Sequence, residues 1–243
     1  TALSIAALAG IAWLTALRLP ALVGKELTTK TWELALFIFA ISAFSETVIK
    51  NIELGQVNLV LVLLLMFDTV TKAHYRGFLT GMAAGFKIVP AIFIVLVNRR
   101  WGDFGRALLG FLTTLAIGSF FGIGQVWQFF SVDLWDTTRV GAADRLSNVS
   151  LYGALTRWIP NSDPIVLWAV LAAIVAVAGL AIAGFWWNHS RLVAAVVVGI
   201  TGLLVSPISW VHHWVWFIPA ACAAIALAIR AFRSSNRLIG VCL

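Results

Sequence analysis

"GFLTGMAAGFKIVPAIFIVLV", residues 77–97, is long enough to cross a membrane and is apolar apart from one lysine, Lys87. Basic residues stand on both sides of it, Lys72 and Arg76 before, Arg99, Arg100 and Arg106 after. Loops rich in Lys and Arg stay on the cytoplasmic side, so a simple span here would carry one of the two outward. Pro90 removes a backbone donor and clashes with the preceding turn, and Lys87 places a charge at membrane depth. Irregular backbone at that depth is tolerated only inside protein or beside a water-filled cavity. The stretch is therefore expected to enter, break near Lys87 and Pro90, and leave on the side it came from, as a re-entrant helical hairpin. The alternative is one kinked span with a misplaced basic loop.

The rest of the chain supports a membrane setting. Of its 243 residues 61% are hydrophobic and 11% charged, against about 25% charged in soluble domains. Apolar segments run over 1–17, 32–44, 54–67, 107–123, 165–187, 192–205 and 214–229. With the hairpin, these predict an all-α, polytopic transmembrane helical bundle of about seven spans, one integral membrane domain over 1–243. Of the 17 basic residues, 12 then fall on one side: Arg18, Lys25, Lys30, Lys72, Arg76, Arg99, Arg100, Arg106, Arg191, Arg230, Arg233 and Arg237. The opposite, extracytoplasmic side receives the 46–53 loop, a long loop over 124–163 and the "SPISWVHHW" corner at 206–214. The net charge of +7 thus reflects loop placement, and nucleic acid is not an expected partner. Cys222 and Cys242 support neither a disulfide framework nor a zinc site. Position 1 is Thr, opening in mid-hydrophobic run, so further membrane segments upstream are expected.

Four sets of polar residues near or inside the spans are candidates for chemistry. In "KNIELGQVN" (50–58), Glu53, Gln56 and Asn58 can make the paired hydrogen bonds that sugar hydroxyls need. An interfacial loop with a helix cap explains them equally. Lys87 asks for an anion, either a phosphate or a structural partner among Glu46, Glu53 and Asp68. In the long loop Arg139, Arg145 and Arg157 suit phosphate, and Asn148 and Ser150 suit hydroxyls; docking of an amphipathic loop on the membrane is the alternative. His212 and His213 are neighbours, so on a helix they diverge and do not grip one metal. Pro207 favours a break there, and Ser206 and Ser209 are placed to cap the next helix. Trp210, Trp214 and Trp216 suit the membrane interface, so the histidines serve either an aromatic girdle or a proton or phosphate at a cavity mouth.

"NIELGQVNLVLVLLL", "GFLTGMAAGFKIVPAIFIV", "RLSNVSLYGALTR" and "LLVSPISWVHHWVW", in this order over roughly residues 50–220, resemble glycosyltransferase family 87. That family comprises actinobacterial polyprenol-phosphate-mannose-dependent α-mannosyltransferases with a GT-C fold. The resemblance implies inverting transfer of mannose from a polyprenyl-phosphate sugar donor to a glycolipid or lipoglycan acceptor, at the outer face of the plasma membrane. It implies that Gln56 and Asn58 line the sugar site and that Lys87 has a structural or phosphate role. Asn148, Ser150 and Arg157 fall in the outer-loop motif, and His212 and His213 lie near the reaction centre as catalytic residues. No cofactor and no metal are implied. The GT-C catalytic carboxylate belongs to the first outer loop, so the general base is expected upstream of Thr1 and this chain alone is expected to be inactive if cut. A transporter or lipid flippase and a non-catalytic membrane subunit are the competing expectations.

Overall fold

The computed structural model describes residues 1–24, 29–71, 74–97, 101–134, 136, 141–160 and 162–241. Most of them lie in eleven helices: α1 (Ala2–Val23), α2 (Thr31–Ala43), α3 (Glu46–Glu53), α4 (Asn58–Val70), α5 (Phe78–Phe86), α6 (Phe93–Val97), α7 (Trp101–Gln128), α8 (Leu151–Trp158), α9 (Ile165–Trp187), α10 (Arg191–Val205) and α11 (Phe217–Val241). Tighter turns over Val89–Ile92 and Val211–Trp216 join α5 to α6 and lead into α11.

The decisive stretch is broken where proline chemistry requires. A helix continuing to Pro90 would set its ring against the Phe86 carbonyl and leave that carbonyl without a donor. The helix α5 indeed ends at Phe86, and Lys87 is extended (φ −145°, ψ 138°). Glycine then fixes how the chain returns. A side chain at Gly77 would overlap the Asp103 carbonyl, one at Gly81 the Ala107 carbonyl and one at Gly85 the Thr114 side chain. These pairs rise together along the sequence, so α5 and α7 lie parallel in close backbone contact. Both start at the same end of the bundle, and the chain between them must return to that end. The hairpin is therefore present in the fold.

At the entry to the hairpin Asp68 is fully buried at the end of α4. Its carboxylate accepts from the Gly77 amide (2.9 and 3.0 Å), the Thr80 amide (3.0 Å) and the Thr80 hydroxyl (2.7 Å), satisfying free donors at the start of α5. Gly77 turns the chain with φ +95°, a conformation that strains any residue carrying a Cβ. Arg18 and Arg191 donate to the carbonyls of Val70 and Thr71, and Arg106 donates to that of Arg76. The core is packed from α1, α4 and α10, with Leu8, Ile11, Leu59, Met66, Leu192 and Val198 buried, and Phe93 stacks on Trp216 at 5.2 Å.

Among the described residues four helical stretches are long and apolar enough to cross a membrane: Ala2–Val23, Gly102–Asp133, Ile165–Trp187 and Val211–Ser234. A fifth arises if α2 and α3, bent by 70°, count as one span, while α4 and α10 are apolar but shorter. Only Ala172, Gly179, Ala183 and Trp187 are buried along the 23 residues of α9, as suits a lipid-facing helix. Two expectations change. Helix continues through Gln128 and a wider turn to Asp133, kinking at Gly122, so the segment 124–163 starts helical and contains α8 as well. Neither serine at the corner caps the next helix: Ser206 Oγ donates to the Ile208 carbonyl, and Ser209 Oγ is buried without a partner among the described residues.

Candidate active site at the tip of the hairpin

Three elements meet at Lys87. Its Nζ donates to Asn58 Oδ1 at 2.7 Å, at the first residue of α4, and lies 3.4 Å from His213 Nε2 in the 211–216 turn. None of the anionic partners considered for it is used. Glu53 is exposed and pairs with Lys50 at 2.8 Å, and Asp68 caps α5 at the other end of α4. No described carboxylate hydrogen-bonds Lys87, His212 or His213. The half-buried ammonium therefore rests on uncharged groups alone.

The histidines are held through their own backbone. Asn51 Nδ2 (2.8 Å) and Asn58 Nδ2 (3.1 Å) both donate to the His212 carbonyl, so two amides grip one oxygen. The Trp210 amide donates to His213 Nδ1 at 3.3 Å. With Nδ1 accepting, a neutral imidazole carries its proton on Nε2, the atom that faces Lys87. Two donors then converge, and an oxyanion between them would satisfy both. The His212 ring stands edge-on to His213, 4.5 Å between centroids. Asn51, fully buried on α3, was not singled out in the sequence; its Oδ1 has no partner among the described residues. Its spacing of three residues from the buried Val48 was the available signal.

The outer segment is fastened to the same corner. The Val149 amide donates to the Ser209 carbonyl (2.8 Å) and the Val211 amide to the Ser147 carbonyl (3.1 Å), a short antiparallel pairing centred on Asn148 and Trp210. Asn148 is fully buried: its Nδ2 donates to the carbonyls of Ala143 (2.9 Å) and Pro207 (3.2 Å), and its Oδ1 accepts from the amides of Ser209 (2.9 Å) and Ser150 (3.4 Å). Ser150 Oγ donates to the Pro207 carbonyl (2.8 Å) while accepting from Gly153 N (3.0 Å), which caps α8. Arg157 Nη1 donates to the carbonyls of Arg145 (3.1 Å) and Asn148 (3.0 Å). Tyr152 donates to Asp163 at 3.0 Å; partial burial, then that carboxylate, raise its phenol above the ordinary range.

The sequence-derived candidates thus divide. Asn58, Lys87, His212 and His213 come together. Asn148, Ser150 and Arg157 reach the corner but bond to backbone. Gln56 is half-buried two residues before Asn58, its side chain unbonded among the described residues. Glu53 and Arg145 are exposed, and Arg139 lies outside the described residues.

Comparison with known proteins gives this constellation a family. A relative from Mycolicibacterium smegmatis, a polyprenol-phosphate-mannose-dependent alpha-(1-2)-phosphatidylinositol mannoside mannosyltransferase, is 33% identical over 217 residues, covering 83% of this chain and 49% of the relative. A protein of the same description from Mycobacterium tuberculosis is 30% identical over 239 residues, 93% of this chain and 53% of the relative. A phosphatidylinositol pentamannoside mannosyltransferase from M. smegmatis is 32% identical over 209 residues, 83% of this chain and 50% of the relative. The chain spans about half the length of these curated relatives. No solved structure matches it. The profile described as Glycosyltransferase family 87 matches residues 1–207, taking in Asn58, Lys87, Asn148 and Ser150 and ending just before the two histidines. With that match running through the hairpin and the outer segment, the chain belongs to glycosyltransferase family 87.

Proposed function

We propose that this chain forms part of a membrane mannosyltransferase that takes mannose from polyprenyl-phosphate mannose and passes it, with inversion, to a hydroxyl of a glycolipid or lipoglycan. The observation that carries the reading is the Lys87 ammonium at the tip of the hairpin, held by Asn58 and facing His213, with no described carboxylate bonded to it. The relatives' descriptions name the donor and a glycolipid acceptor, and family membership favours transfer over transport.

In this reading the acceptor oxygen attacks the anomeric carbon as the bond from that carbon to the phosphate oxygen breaks. Positive charge develops on the sugar ring and negative charge on the departing polyprenyl phosphate. Lys87 and the Nε2–H of His213 both donate to that phosphate, and His212 lies alongside. The leaving group is a monophosphate, so cationic side chains suffice and no metal or cofactor is invoked. Gln56, Asn58 and Glu53 line the sugar side. Arg145, exposed, is assigned to the phosphate, as is Arg139 on its sequence alone, and Asn148, Ser150 and Arg157 hold the corner that carries the histidines. Loss of the acceptor proton needs a general base, a role given to no residue of this chain.

The bundle is read as seven crossings plus the hairpin in the plasma membrane, with α4 and α10 as short spans seated in the core and the Lys87 end extracytoplasmic. Arg18, Arg76, Arg106, Arg191, Arg230 and Arg233, at the far end, support that orientation. The test is transfer of labelled mannose to lipid acceptors in membranes carrying the full polypeptide that contains this chain. Polyprenyl-phosphate mannose should serve as donor and a nucleotide-linked mannose should not. Equal use of both, or transfer from neither with acceptor glycolipids supplied, overturns the reading.

A further inference from the structure

Asn51 is fully buried on α3 and, among the described residues, hydrogen-bonds neither Lys87 nor an imidazole ring, yet it joins two of the segments that form the corner. Its Nδ2 donates to the His212 carbonyl at 2.8 Å. Its main-chain carbonyl accepts from the Gln56 amide, also at 2.8 Å. With Gly55 at φ +60°, that bond turns the chain out of α3 and sets Asn58 at the start of α4. Asn58 divides its amide between two partners: Nδ2 donates to the same His212 carbonyl at 3.1 Å, and Oδ1 accepts from Lys87 at 2.7 Å. The shorter of the two bonds to that carbonyl, from Asn51, has no link to Lys87.

An oxyanion is a stronger acceptor for an ammonium than an amide oxygen is. A phosphate meeting Lys87 therefore competes with Asn58 Oδ1, and an Asn58 amide that turns away releases the His212 carbonyl as well. Asn51 keeps its hold whatever Lys87 does. That matters because reacting groups must stay within about 0.5 Å of their working geometry. Stability does not account for the Asn51 amide. Its Oδ1 is buried without a partner among the described residues, and a buried acceptor left unmet costs at least as much as one hydrogen bond returns. We propose that Asn51 is a positioning residue of the transfer site: through the His212 carbonyl it keeps His213 Nε2 directed at the phosphate while Lys87 changes partners. This role rests on the mannosyltransferase reading above.

Asn51→Leu keeps the branching at Cγ and removes both polar atoms, and Asn51→Ala is the second variant where leucine does not fit. In the full polypeptide either should lower kcat for transfer from polyprenyl-phosphate mannose by about 10- to 100-fold, the effect of a misplacement of about 1 Å, with KM little changed. In a His213→Gln background the same substitution should cost almost nothing further, because Asn51 acts through that ring. A structural role would lower both backgrounds alike. Nitrogen-15 spectra of the histidines, assigned with His213→Gln, give a reading without turnover. With polyprenyl phosphate bound, His213 should show a single Nε2–H imidazole in the unaltered protein and a shifted or broadened signal in Asn51→Leu. Unchanged kcat, equal losses in the two backgrounds, or an unchanged His213 signal overturns the role of Asn51, as does failure of both variants to fold. Absence of transfer by the unaltered protein overturns the mannosyltransferase reading instead, and the nitrogen signals still decide on Asn51.

Discussion

The Lys87 ammonium donates to one amide oxygen and faces the Nε2–H of His213, a poor setting for a half-buried charge and a ready one for a phosphate. His213 is the residue whose removal is most informative, because its Nε2 faces Lys87 while its Nδ1 accepts from the Trp210 amide. His213→Ala should lower transfer by at least about a hundredfold, the scale of a lost proton or charge partner, with folded protein recovered in normal yield. Turnover like that of the unaltered protein would remove His213 from the site. Lys87, Asn58 and the two histidines were legible in the sequence because polar groups in apolar runs must find partners. Asn51 was not, since an asparagine in a short amphipathic helix reads as surface until the 211–216 turn is folded onto it. Asn148 and Ser150 were legible as hydrogen-bonding residues. Their partners were not, because the Pro207 and Ser209 backbone lies about sixty positions away and nothing local announces the pairing.

At the scale of elements, the hairpin depends on how closely α5 approaches α7. Gly81→Leu sets a side chain against the Ala107 carbonyl and should destabilise by about 1–3 kcal/mol or more, since backbone cannot yield as a side chain does. Thermal unfolding in detergent should show a clearly lowered midpoint, and an unchanged midpoint would deny the parallel packing. This element was readable from sequence through a conflict of charges, two basic loops flanking one apolar stretch, together with Pro90. The ends of α7 and α4 were not. Helix α7 runs past its apolar core to Gln128, and α4 waits for Asn58 because Gly55, at φ +60°, turns the chain first. Hydrophobicity marks where a helix is buried in lipid, and capping and turns decide where it stops.

Across the whole molecule, the Lys87 corner and the arginines Arg18, Arg76, Arg106 and Arg191 occupy opposite ends, so the account requires a definite orientation. In a background lacking Cys222 and Cys242, Asp144→Cys should react with a membrane-impermeant maleimide in intact cells, and Arg233→Cys only after permeabilisation. The reverse pattern would place the candidate site in the cytoplasm. Composition made the membrane class plain, whereas the number of crossings depends on α4 and α10, whose 13 and 15 residues are short for a bilayer and gain their place by packing in the core. The most direct measurement is mannose transfer from labelled polyprenyl-phosphate mannose by the full polypeptide carrying Lys87→Met, beside the unaltered protein at matched folded amounts. The account predicts that transfer falls to background while the protein remains folded. Transfer by Lys87→Met at the unaltered rate would contradict it.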